Sequence, residues 1–89
     1  MGTEKLLDKL TNLLNAKRRK QIKQHNKLKK LLKKLKKRQE EHQKLLAAKK
    51  DPEGRKRIER TLQVIYTQRK KGIKLYKEIT DDLKVKNKK

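Results

Sequence analysis

Lys49-Lys50-Asp51-Pro52-Glu53-Gly54 is the stretch that divides this chain. Asp51 is a strong N-cap residue, and Pro52 suits the first helical position, where its missing N–H would have no helical partner anyway. A residue before proline avoids the α region, so a helix arriving from the N-terminal side ends near Lys50. Elsewhere punctuation is sparse, with no further Pro and only Gly2 and Gly72 in the rest of the 89 residues. The reading is therefore all-α. It is an antiparallel two-helix hairpin with a long first helix over about 3–49, a turn over 50–53 and a second helix over about 52–85. Residues 86–89 form a frayed tail. The whole chain, 1–89, makes a single small basic helical domain.

Working upstream, the leucines carry the pattern. At 100° per residue, Leu6, Leu7, Leu10, Leu13, Leu14, Leu28, Leu31, Leu32, Leu35 and Leu46 fall within roughly 60° of one helical face. The other residues are mostly Lys, Arg, Gln and Glu, which are good helix formers. Downstream, Ile58, Leu62, Ile65, Tyr66, Ile73, Tyr76 and Leu83 form a second stripe, with Val64 and Leu75 on the opposite side. Gly72 sits inside the second helix at a cost of ~1 kcal/mol relative to Ala. It marks a close helix approach, a kink or a tolerated glycine.

The turn sets the pairing. Ile58 belongs near Leu45 and Leu46, Ile73 near Leu31 and Tyr76 near Leu28, and the second helix runs out opposite roughly residue 17. Leu6, Leu7, Leu10, Leu13 and Leu14 then have no partner in the hairpin. An uncovered leucine stripe favours burial. The N-terminal part either overhangs and meets a second copy or another protein, or folds back near Asn15 as a third short helix. The stripe is also segmented: Leu10-Thr11-Asn12-Leu13-Leu14 repeats as Leu28-Lys29-Lys30-Leu31-Leu32 after eighteen residues, five helical turns. Between these patches the same face carries Lys17, Gln21 and Gln24, then Gln39 and His42, where a continuous coiled coil would place aliphatics.

Charge gives the second theme. There are 31 Lys or Arg against 10 Asp or Glu, a net of +21, with 46% of residues charged and mean hydropathy −1.34. Low hydrophobicity with high net charge is the signature of disorder, but the ordered leucine stripe argues for helix. The charge is uneven. Residues 1–15 hold two Lys and two acids and are neutral, 16–50 hold sixteen basic residues and two Glu for +14, and 51–89 carry +7. Arg19, Lys23, Lys30, Lys33 and Lys37 lie nearly opposite the leucines, and Arg18, Lys20, Lys27 and Lys34 extend them into a basic ridge. Like charges at i,i+4, as in Lys30/Lys34 and Lys33/Lys37, repel by a few tenths of a kcal/mol. A net charge this far from zero also destabilises the compact state. A polyanion relieves both penalties.

The first functional expectation follows: the ridge binds DNA or RNA phosphate backbone. Lysine acts as a point charge where arginine forms bidentate contacts, which favours backbone binding over base reading. Tyr66 and Tyr76, the two aromatic residues, fall on the packing face and read as core rather than stacking platforms. A second expectation is a protein-interaction or self-associating coiled-coil module that docks through Leu6, Leu7, Leu10, Leu13 and Leu14 on a homo-oligomeric or acidic protein partner. A third is binding to an anionic membrane surface through the cationic amphipathic segment 27–37.

Several classes are excluded. The chain has no Cys and no Ser, so thiolate metal sites, disulfides and the commonest nucleophiles are missing. His25 and His42 are too far apart on a helix to share a metal; His25 reads as solvated and His42 as a seam residue. No phosphate-cradling glycine loop occurs. The expectation is a non-enzyme with no catalytic residues, no metal and no cofactor. No apolar run approaches a membrane span, and no signal-peptide core is present. The expected place is soluble and intracellular, in cytoplasm or nucleoid.

Overall fold

The turn at Asp51 forms as its residues dictate. In the computed structural model, which describes the backbone of residues 2–87 and the side chains of 2–84, the Gly54 N–H donates to Asp51 Oδ2 at 3.3 Å and the Arg55 N–H to the Asp51 carbonyl at 2.9 Å. The first bond satisfies a donor that helix geometry leaves orphaned in the first turn, and the second is the opening i→i−4 bond of the helix. The helix so capped, α4, runs Pro52–Asn87. Before it, α3 spans His25–Ala48 and ends at Lys49, whose backbone is extended (φ −81°, ψ 128°). Arg55 reaches back across the turn and donates to the carbonyls of Leu46 (2.9 Å) and Lys49 (3.1 Å), closing the end of α3.

The chain is all-helical among the described residues, with two further helices, α1 (Thr3–Leu14) and α2 (Arg18–Lys23), ahead of α3. Contacts fix the pairing of α3 with α4. Arg55 meets Leu46, Arg69 donates to Gln39 Oε1 at 3.1 Å, and His25 lies on Tyr76 and Thr80. As one number rises the other falls, so the two helices are antiparallel.

The long first helix over 3–49 does not form as one piece. Asn15 ends α1 (φ −90°, ψ −1°), and Lys17 is extended (φ −66°, ψ 152°), which turns the chain back. A smaller irregularity at Gln24 (φ −101°, ψ 22°) separates α2 from α3. The physical reason for the break is burial. Folded back, α1 contacts both α3 and α4, and Leu10 and Leu13 become buried beside Leu28, Leu32, Leu35, Ile65, Leu75 and Ile79. Full burial of a leucine is worth about 1.5–3 kcal/mol. The adjacent Leu6, Leu7 and Leu14 pack on this core while partly exposed.

Two residues make the fold-back fit. Gln21 sits in the polar gap of the stripe and is buried; its Nε2 donates to the carbonyls of Leu13 (3.0 Å) and Leu14 (3.2 Å). It thereby caps orphan carbonyls at the end of α1. Gly72 is the close-approach point. A Cβ there would stand 2.7 Å from Leu32 Cδ2 and 3.2 Å from Leu10 Cδ1.

Other placements differ from the stripe analysis. Leu75, assigned to the far side of the second helix, is buried, because a helix packed against two neighbours needs a wider apolar arc. Tyr66, assigned to the core, is 55% exposed, as is Val64 at 46%. His25 is not simply solvated: its ring stacks on Tyr76 at 4.4 Å and its Nε2 lies 3.1 Å from Thr80 Oγ1. His42 uses Nδ1 to hydrogen-bond the Arg38 carbonyl at 2.8 Å. At the C-terminus the helical backbone continues to Asn87 rather than fraying at 86; Lys88 and Lys89 lie outside the described residues. The bundle is a rod of 57 × 20 × 17 Å.

Candidate functional site

The fold-back changes what the basic ridge is. On α2 and α3 the nine cations assigned to it (Arg18, Arg19, Lys20, Lys23, Lys27, Lys30, Lys33, Lys34 and Lys37) are all exposed. They do not act as one row. Lys20, Lys27, Lys30 and Lys34 line a groove between α3 and α1, together with Lys9, Asn12, Leu13, Gln24 and Leu31. The groove continues toward the start of α1, where Lys9 and Lys34 are joined by Lys5, Leu6, Lys37, Arg38 and Glu41. Seven lysines and one arginine therefore line two adjoining depressions that share Lys9 and Lys34 and together contain one carboxylate. That carboxylate, Glu41, sits 3.5 Å from Arg38 Nη1, one turn away on the same helix.

The remaining ridge residues separate from this cleft. Arg18 turns toward α4 and pairs with Glu78 at 3.2 Å. Arg19, Lys23 and Lys33 are exposed but are not in the groove lining. None of the seven groove lysines makes an ion pair among the described residues.

Three groove cations, Lys5, Lys9 and Arg38, escaped the sequence assignment. The first two stood in a segment whose net charge is zero, and the sum concealed their placement. A signal was present. Lys5 and Lys9 are four apart and share a flank of α1, whereas Glu4 and Asp8 are one position earlier, rotated by 100°. Both acids are exposed and neither lines the groove. The neutral helix thus presents a positive edge to α3.

The N-terminal leucines face the chain's own core. Leu10 has 0% and Leu13 4% exposure, so they are interior residues in this fold. With Leu6, Leu7 and Leu14 packed on the same core, the patch is used within the chain.

The chemistry available in the groove is that of fixed positive charge. Among the described residues no cluster of three metal-binding side chains occurs, and no helix is long and apolar enough to cross a membrane. No family model, curated protein or solved structure matches the chain.

Proposed function

We propose that this chain is a non-enzymatic polyanion-binding protein that holds nucleic-acid phosphate backbone without sequence specificity. In this reading α3 and α4 form a helical hairpin on which α1 folds back, and the resulting basic groove receives the ligand. The observation that carries the proposal is the groove itself: seven lysines on two walls, against a single carboxylate already beside an arginine. An array of ammonium groups along a line suits a linear polyanion, because each neutralised phosphate releases counterions and adds affinity without reading a base. Lysine rather than arginine dominates the lining, which favours point-charge contact over bidentate base recognition. An intracellular location, in cytoplasm or nucleoid, fits such a ligand.

The test is a titration of a DNA duplex and of a single strand of mixed sequence at several salt concentrations. If most of the groove lysines engage, the slope of log affinity against log salt for the duplex is about −4 to −6, at roughly −0.9 per neutralised phosphate. Affinity should be nearly independent of sequence. A flat slope contradicts the proposal.

A further inference from the structure

We infer that the groove between α1 and α3 seats one phosphodiester strand and that α1 is its clasp, so that strand binding and docking of α1 are a single coupled event. This rests on the backbone-binding reading above and adds a specific site and a moving part to it.

The first support is the division of charge on α1. Lys5 and Lys9 line the groove, while Glu4 and Asp8 do not. A helix with two cations and two acids therefore meets α3 with its cations. The facing wall carries five lysines between Lys20 and Lys37. Two positive walls flanking one groove repel each other, over a range set by the ~10 Å Debye length of 0.1 M salt. Without a ligand this repulsion opposes docking of α1. With a strand of phosphates between the walls the same charges favour it.

The second support is the limited anchorage of α1. Its buried residues are Leu10 and Leu13, its C-terminal carbonyls are held by the Gln21 side chain, and its link to α2 is the short segment 15–17. It has 12 residues. Isolated helices shorter than about 12–15 residues are marginal in water. Undocking α1 therefore also unwinds it, which makes the event visible in amide exchange. Docking and ligand binding are reciprocal: whatever factor the strand adds to docking, docking adds to strand affinity.

The third support is dimension. The α2–α3 wall is nearly continuous through Gln24, whose N–H bonds the Lys20 carbonyl at 3.0 Å and whose carbonyl accepts from Leu28 at 2.9 Å. From Lys20 to Lys37 it spans about 25 Å at 1.5 Å per residue. That length accommodates several consecutive phosphates of one strand along the five lysines of this wall.

The experiment compares the wild-type chain with Lys5→Gln/Lys9→Gln and with Lys70→Gln/Lys74→Gln. The second pair has the same spacing and consists of exposed residues on α4 outside the groove lining. Each protein is titrated with a short mixed-sequence single strand at several salt concentrations, and hydrogen exchange is followed at the amides of 10–14. The α1 pair should reduce the salt slope by about 1.4, at roughly 0.7 per lost contact, and the α4 pair by less than half of that. In the wild type the strand should slow exchange at 10–14 several-fold. Without DNA, Lys5→Gln/Lys9→Gln should already exchange more slowly there than wild type, since the repulsion is reduced, and DNA should add little. If the two pairs lose slope equally, or if the strand leaves exchange at 10–14 unchanged, the clasp is wrong while backbone binding stands. If the wild type shows no salt-dependent binding, the parent reading and the clasp fail together.

Discussion

Gly72→Ala is the substitution whose sign depends most sharply on the fold-back. In a solvent-exposed helix the change stabilises, because alanine is favoured over glycine by ~1 kcal/mol at an interior helical position. Here the new methyl would stand 2.7 Å from Leu32 Cδ2 and 3.2 Å from Leu10 Cδ1. Neither leucine has room to swing outward, since Leu10 is 0% and Leu32 7% exposed and both belong to the common core. Overpacking of this kind costs about 1–3 kcal/mol. Set against the propensity gain, the net is a loss of up to about 2 kcal/mol. It should be concentrated where α1 meets α4, because displacing α1 is the easiest way to make space. Urea unfolding by circular dichroism gives the total, and amide exchange at 6–14 locates it. The expected result is a lower midpoint with accelerated exchange in α1. A midpoint raised by the substitution would refute the close approach of α1 to Gly72, and with it the second wall of the groove.

Other expectations follow from the same geometry. Gln21→Ala removes two hydrogen bonds to the carbonyls of Leu13 and Leu14, each worth about 0.5–1.5 kcal/mol; exchange at the end of α1 should quicken while α4 is unaffected. Leu10→Ala opens a cavity at a fully buried site and should cost about 2–5 kcal/mol in urea unfolding, with the loss again felt first in α1. Arg18→Gln breaks an ion pair whose side chains are 47% and 46% exposed; after solvent screening its cost should stay below about 1 kcal/mol in thermal melts. Added salt should raise the melting temperature of the free protein, because screening reduces the self-repulsion of a chain at +21; a melting temperature that falls with moderate NaCl would contradict the repulsion argument.

How far the sequence could be read varied along the chain for identifiable reasons. Asp51 and Pro52 announce their structure locally, through a side-chain cap and a fixed φ, so the start of α4 was legible without tertiary information. That α3 and α4 pack on each other was legible from their apolar stripes, whereas Tyr76, expected near Leu28, stacks on His25 about one turn away. The break after Leu14 was not fixed by local chemistry. Asn15-Ala16-Lys17 has no Gly or Pro, and Asn15 alone is a weak stop. What decides it is the benefit of burying Leu10 and Leu13, a non-local term that appeared in the sequence only as an unpartnered stripe with fold-back as one outcome. Leu75 differs from the stripe for a related cause: two helices define one contact direction, while a third widens the buried arc toward Leu75. The groove was half legible. Lys20, Lys27, Lys30, Lys34 and Lys37 could be found as a dense charge run, but Lys5 and Lys9 were cancelled by Glu4 and Asp8 when charge was summed along the chain rather than around the helix.

The most direct measurement is a nuclear magnetic resonance titration of the isotope-labelled chain with a mixed-sequence single strand, in which every assigned backbone amide is followed. The account predicts that shift changes gather at 5–13 and 20–38, the two walls of the groove, and leave the outward face of α4 around Lys70 and Lys74 nearly still. Changes spread evenly over all four helices would contradict it, because they would mean that the charge binds as a diffuse cloud and that the groove has no special part.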